Sequence, residues 1–259
     1  MTPPARTVAL FVTCLVDAMR PSVAEAAVGL LGRAGFEVSV PLQTCCGQPL
    51  LNGGDSEGCA ALARRMMAAF RGFDFVVAPS GSCVATLREV PRLFPAGSAE
   101  QVAALELAAR TFELCDFLER HAPLRDDLPR WDASVTWHDA CSGLRQLGIR
   151  DQPRALLSRI PGLELRELPA TEAAECCGFG GLFCVKYPAV SANIADRKLD
   201  AVVATGADYL VGGDLGCLLH LEGRLQRRGL SVRAVHVAEA LAGQVPGNRA
   251  PRADDSTSG

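Results

Sequence analysis

Short apolar runs alternate with stretches of helical spacing along this chain. Residues 7–13 read as a buried strand with Cys14 at its end. Val23, Ala26, Ala27, Leu30 and Leu31 then recur at the spacing of one helical face, opened by Pro21 and stopped at Gly35. A second strand over 36–40 leads through Pro41 to Cys45 and Cys46, where Gly47, Gly53 and Gly54 predict irregular backbone. A helix over 56–70 and a strand over 74–78 follow, and the strand runs out into Ser80, Gly81, Ser82 and Cys83. Strand, helix, strand, loop, helix, strand is the order of a parallel sheet with helices on its faces. In such sheets ligands bind beyond the carboxyl ends of the strands, where this order puts all four cysteines.

A long helical pattern over 99–120, carried by Val102, Leu105, Ala109, Phe112, Leu114, Phe117 and Leu118, spans the join to the second half. The polar, proline-bearing stretch 123–132 is the linker candidate. The plan then repeats. Strands are predicted over 135–137, 163–168, 208–211 and 231–237, with helices over 152–160, 189–205, the residues after Cys217, and 238–242. The expected architecture is α/β, with two related Rossmann-like lobes whose parallel sheets carry helices on both faces, over 1–122 and 133–245. A polar tail over 246–259 is expected to be disordered.

Composition narrows the role more than the fold. Of 259 residues 49% are apolar, ample for a packed core, and the net charge of −3 comes with no basic stripe for phosphate backbones. A nucleic-acid role is excluded on that ground. The longest early apolar run, 8–16, is too short to span a bilayer, which takes roughly 20 apolar residues. Asp17 and Arg20 stand where a signal peptide would carry small cleavage-site residues, so a cytoplasmic location is expected. Clustered cysteines there are metal ligands or redox groups before they are structural disulfides.

Eight of the eleven cysteines form two equivalent sets. Cys45-Cys46-Gly47 lies between Cys14 and Cys83, and Cys176-Cys177-Gly178 lies between Cys141 and Cys217. Cys14 to Cys45 spans 31 positions and Cys141 to Cys176 spans 35, so the spacing itself repeats. Four thiolates per set is the ligand count of an iron-sulfur cluster or a tetrahedral zinc. Neighbouring residues in extended chain point to opposite faces, so both sulfurs of a pair reach one centre only where the backbone turns, and the following glycine permits that turn. The adjacent pair favours a cluster, whose several irons give the two sulfurs distinct metals, over zinc sites built from CxxC knuckles. Buried apolar thiols and a disulfide switch are the plainer alternatives.

With Ser80-Gly81-Ser82-Cys83, His138-Asp139-Ala140-Cys141 and Glu175-Cys176-Cys177-Gly178-Phe179-Gly180-Gly181, the doubled pattern resembles the cysteine-rich CCG-domain proteins. Within these it is most similar to the lactate-utilization protein A group; the cysteine-rich subunit of heterodisulfide reductase and the iron-sulfur subunit of glycolate oxidase carry the same module. The resemblance covers roughly residues 7–240. It implies an oxidoreductase subunit with Cys14, Cys45, Cys46, Cys83, Cys141, Cys176, Cys177 and Cys217 as cluster ligands. It also implies one iron-sulfur cluster per lobe, and L-lactate oxidised to pyruvate together with a ferredoxin-like iron-sulfur subunit and a third subunit. Heterodisulfide reductase sites of this type use five cysteines, C…CC…CxxC, whereas Ser80 and Asp214 stand at the fifth position here. A four-ligand [4Fe-4S] centre, an oxygen ligand from Ser80 or Asp214, and zinc in one lobe all remain open. Thiol-disulfide reduction and a zinc-stabilised scaffold are the competing functions.

The remaining candidates are single residues. Cys59 and Cys115 fall inside helical patterns and read as core, and Cys184 lies near the second glycine loop without a first-half counterpart. His138 and Asp139 could tune the second site or serve only as hydrogen-bonding groups, and Lys186 and Tyr187 could place a charge beside it or simply face solvent. Gly178, Gly180 and Gly181 lack the third glycine of a dinucleotide fingerprint. No residue pattern marks a hydride-abstracting base, so the sequence assigns no catalytic residue.

Overall fold

In the computed structural model, which describes residues 6–122 and 124–245, eight strands form two four-stranded sheets. The first contains β1 (Thr7–Leu10), β2 (Glu37–Ser39), β3 (Phe75–Ala78) and β4 (Thr111–Glu113) in the order β2-β1-β3-β4. The second contains β5 (Ala133–His138), β6 (Leu163–Leu165), β7 (Tyr209–Gly212) and β8 (Arg233–His236) in the order β6-β5-β7-β8. All pairings between these strands are parallel, with Val8 opposite Phe75 in one sheet and Val135 opposite Tyr209 in the other. The fold is α/β with two similar lobes, as the alternation of elements predicts. In β1 and β3 the apolar run is continuous where both faces are covered, as at Val8, Ala9 and Leu10.

Order reverses beside β1 and β5, since the chain goes first to one neighbour and later to the other. That reversal opens a crevice beyond the carboxyl ends of the central strands. The helix Ser22–Arg33 buries Val23, Ala26, Ala27, Leu30 and Leu31, the face expected from spacing. It packs against the helix Val237–Ala242 of the second lobe, so one hydrophobic core contains Leu30 and Leu31 together with Ala238 and Leu241. A smaller core of Phe11, Met66, Phe70, Val84 and Leu87 lies under the first crevice and takes in Cys46 and Cys83.

Three expectations are corrected. The first strand stops at Leu10, and a short helix, Cys14–Met19, begins at Cys14 itself. The helix expected over 99–120 is two helices, Ala99–Ala109 and Leu114–Arg120, with β4 between them. Val76 donates its N–H to the Arg110 carbonyl, and Val76 stands opposite Thr111, so pairing with β3 pulls three residues out of helix. Residues 48–53, read as irregular, form the helix Gln48–Gly53 between two left-handed glycines, Gly47 and Gly54. Over 124–132 there is no regular element, yet Leu124, Leu128 and Trp131 are buried, so this connection is packed down. The tail over 246–259 lies outside the described residues, among which no helix is long and apolar enough to cross a membrane.

Candidate metal centres

Each cysteine of the two sets follows a strand. Cys14 opens the helix after β1, Cys45 and Cys46 lie in the loop after β2, and Cys83 is in the first turn of Gly81–Glu89 after β3. In the second lobe Cys141 follows β5, Cys176 and Cys177 follow β6, and Cys217 is in the first turn of Leu215–Arg227 after β7. The turn each pair needs is made by glycine: Gly47 has φ +90 and Gly178 has φ +86. A side chain is crowded at both, since a Cβ on Gly47 would come 2.8 Å from Cys59 Sγ and one on Gly178 only 2.5 Å from the Ser191 carbonyl.

The sulfurs meet in two matching chains. Cys14 Sγ is 3.9 Å from Cys45 Sγ, and Cys46 interacts with both Cys45 and Cys83. In the second lobe Cys177 and Cys217 Sγ lie within 4.8 Å of each other, and Cys141 and Cys177 each interact with Cys176. All eleven cysteines are free thiols rather than disulfides.

Charge is distributed in the same way in both chains. Hydrogen bonds from Cys14 and then Cys46 hold Cys45 far below the usual thiol range, and Cys141 and then Cys177 do this to Cys176. The donors are raised in turn, Cys14 and Cys46 by giving their protons toward Cys45, and Cys141 and Cys177 by giving theirs toward Cys176. A soft cation fits this donor set, because it replaces the protons that otherwise separate crowded, half-buried sulfurs. Backbone N–H groups of Gly178 and Phe179 point at Cys176 Sγ and Cys177 Sγ at 3.3 and 3.4 Å, and such bonds to sulfur tune a centre's potential.

The second lobe adds groups that the first lacks. His138, 1% exposed, has neither ring nitrogen hydrogen-bonded, and its imidazole lies with the Cys177 and Cys217 sulfurs in a group whose ligand atoms are all within 4.8 Å of one another. Burial first and the Lys198 charge second push its pKa down to about 3, so the ring is neutral. Lys198 is fully buried and donates to the carbonyls of Glu172 and Ala173 at 2.5 and 2.9 Å, just ahead of the cysteine pair. Its pKa is lowered by the same burial. Ser191 donates to the Gly178 carbonyl at 2.8 Å and is held by His220 at 3.1 Å, which fixes the glycine turn from behind.

Ser80 and Asp214, the departures from a five-cysteine site, face each other between the lobes as an isolated antiparallel bridge. Ser80 Oγ and Ser82 N–H donate to one Asp214 carboxylate oxygen at 3.2 and 3.0 Å, and Gly216 N–H donates to the other at 3.2 Å. Both residues cap the helices that carry Cys83 and Cys217. An apolar cavity of about 290 Å³ lies at this seam, lined by Cys14, Cys45, Cys46 and Cys83 on one side and by Phe179, Leu182 and Val185 on the other. The second sulfur chain lines a smaller cleft of about 50 Å³ that shares Gln48, Ser82, Phe179, Gly181 and Asp214 with it. Both sets therefore open toward one seam.

Other sequence candidates do not join the sites. Cys59 and Cys115 are buried in the core, and Cys184 gives its S–H to the Gly181 carbonyl at 3.1 Å and takes no part in the sulfur contacts. Asp139 is committed to Arg154 at 2.9 Å and to the Trp137 indole N–H at 2.9 Å, while Lys186 and Tyr187 face solvent. Lys198 was not among the sequence candidates. Its signal is a lone lysine on the helix face that also buries Ser191, Ala195, Leu199 and Val202.

A family model described as a cysteine-rich domain, CCG, matches residues 8–88 and again 135–222. Lactate utilization protein A of Macrococcus caseolyticus is 44% identical over 92% of this chain and 97% of its own length. The proteins of that name from Geobacillus kaustophilus and Bacillus subtilis are 43% and 42% identical, each over 90% of this chain and 98% of their own. A crystal structure of a hypothetical protein from Helicobacter pylori superposes on 95% of this chain with a TM-score of 0.68 at 11% identity. This chain spans 50% of that protein's length, and the likeness is one of fold. With the doubled domain and these relatives along nearly its whole length, the chain belongs to the cysteine-rich CCG family, in the lactate utilization protein A group.

Proposed function

We propose that this chain is the electron-carrying subunit of a lactate-oxidising system, with one metal-thiolate centre per lobe. Cys14, Cys45, Cys46 and Cys83 are the ligands of the first and Cys141, Cys176, Cys177 and Cys217 those of the second. The observation that supports this most is the doubled convergence of sulfurs from separate strand ends onto one seam. The shared name of the relatives supports lactate as the substrate of the system. A [4Fe-4S] cluster in each lobe would supply one-electron acceptance and release.

The chain's own residues then have defined parts. Thiolates bind the metal, Gly47 and Gly178 turn the backbone so that adjacent sulfurs serve one centre, and the N–H groups of Gly178 and Phe179 stabilise negative charge on sulfur. Phe179, Leu182 and Val185 set apolar side chains beside the first set, of which Cys14 stays exposed and Cys46 and Cys83 are buried. Oxidation of L-lactate to pyruvate releases two electrons and two protons. This chain's part is to pass the electrons on, in the cytoplasm, with a ferredoxin-like iron-sulfur protein and a third subunit as partners.

One distance favours a second reading for the first lobe. Two sulfurs bound at about 2.3 Å to a single tetrahedral metal lie about 3.8 Å apart, close to the 3.9 Å between Cys14 and Cys45. Zinc there would make the first lobe structural. Anaerobic purification followed by iron, sulfide and zinc assay with a visible spectrum separates the readings. Iron and sulfide in both lobes, with a band that bleaches on reduction, is expected. A colourless protein holding zinc alone would overturn the electron-carrying role.

A further inference from the structure

Among the positions beside the sulfurs at which the two lobes differ, one sets an aromatic ring against an imidazole. Three residues before the lone cysteine that opens each set, the first lobe has Phe11 and the second has His138. Phe11 is fully buried against Phe70 in an apolar core. His138 is as deeply buried, yet both of its ring nitrogens lack a hydrogen-bond partner while lying beside the Cys177 and Cys217 sulfurs. An orphaned buried nitrogen is costly unless something accepts its lone pair or its proton. Both nitrogens are orphaned, so inverting the ring does not supply a partner.

The competing fifth donor is already used. Both oxygens of Asp214 accept hydrogen bonds across the seam, from Ser80 and Ser82 on one and Gly216 on the other. We infer that His138 is a nitrogen ligand of the second centre, which is therefore a mixed sulfur–nitrogen site while the first is bound by sulfur alone. The inference rests on the metal-thiolate reading above. A neutral imidazole in the place of a fifth thiolate brings no negative charge, so the second centre takes up an electron at a higher potential than a five-thiolate centre in the same place. The buried Lys198 ammonium acts in the same direction.

The test uses the full chain as the Cys45→Ser, Cys46→Ser variant, in which only the second centre can load. One sample is reconstituted anaerobically with ferrous iron and sulfide, a second with zinc alone, and metal and sulfide are assayed first. Pulsed EPR of the reduced iron form, with natural and 15N-labelled histidine, reads a histidine nitrogen bound to iron. X-ray absorption of the zinc form reads a nitrogen at about 2.0–2.1 Å with its imidazole scattering. A histidine signal that changes with the label and vanishes in His138→Phe is the expected result. The labelling comparison needs no variant and stands even if His138→Phe fails to fold. A loaded second centre with no histidine nitrogen in either form, or a signal that survives His138→Phe, overturns the inference. A second lobe that binds neither iron nor zinc fails at the assay, and sinks the metal reading together with the ligand built on it.

Discussion

At the scale of single residues, the two glycine turns are the tightest constraint. A Cβ at Gly178 meets a backbone carbonyl, which cannot move without unwinding the helix Pro188–Ala204, whereas at Gly47 it meets the Cys59 side chain. Both positions also carry a positive φ that costs an L residue about 1 kcal/mol or more. Gly178→Ala should therefore lower stability more than Gly47→Ala, and Cys59→Ala should rescue part of the loss only for Gly47→Ala. Urea unfolding of the metal-free chains measures this, and equal losses with no rescue would contradict the packing described. Glu113 carries a different kind of strain. Burial raises its carboxyl from an ordinary 4.5 to about 8, against the N–H groups of Cys115 and Asp116 that pull it down. Between those values the unfolded chain has lost this proton and the folded chain keeps it, so stability falls as pH rises from about 4.5 through about 8. Glu113→Gln keeps an accepting oxygen and should flatten that part of the stability profile. Of the candidate site residues, the eight cysteines stand out in the sequence because a doubled spacing is rare. His138 could be named but not ranked, since what sets it apart is the absence of any partner, which only the packed structure reveals.

Among elements, the strand-to-helix junctions do most of the positioning. Ser80 and Asp214 cap the helices that begin two residues before Cys83 and Cys217, so the capping groups and the thiols are set by the same turn. The segment 170–177 depends instead on Lys198, whose ammonium holds the carbonyls of Glu172 and Ala173. The matching helix of the first lobe, Ser56–Ala69, buries Cys59, Ala60, Ala63 and Met66 and no charge. Lys198→Met should leave two carbonyls without their donor and cost on the order of 2 kcal/mol. Faster amide exchange over 170–178 than in the parent protein is the expected signature; unchanged exchange would show the lysine to be dispensable. Long amphipathic helices were readable from spacing, as Ser22–Arg33 shows. β4 was not, because Thr111, Phe112 and Glu113 interrupt a helical apolar pattern for too short a run to break its period. Pairing with β3, a contact distant in sequence, decides their conformation.

For the whole molecule, the repeat predicts two similar lobes but not how they are joined. The helices Ser22–Arg33 and Val237–Ala242 share a core, and the Ser80–Asp214 bridge joins the lobes directly beside the sulfurs. Gly81 sits so close to the Gly143 backbone that a Cβ would come 3.1 Å from its nitrogen. These contacts turn two crevices toward one seam, the arrangement that the proposed electron-carrying role would use. The direct measurement is an anaerobic reductive titration of the full chain, counting electrons taken up alongside bound iron and sulfide. It is repeated for the Cys45→Ser, Cys46→Ser variant and the Cys176→Ser, Cys177→Ser variant. The account predicts that each variant loses one centre, with about half of the iron, sulfide and electron uptake, and keeps the other. Full uptake in both variants, or a parent chain that binds metal and accepts no electrons, would contradict it.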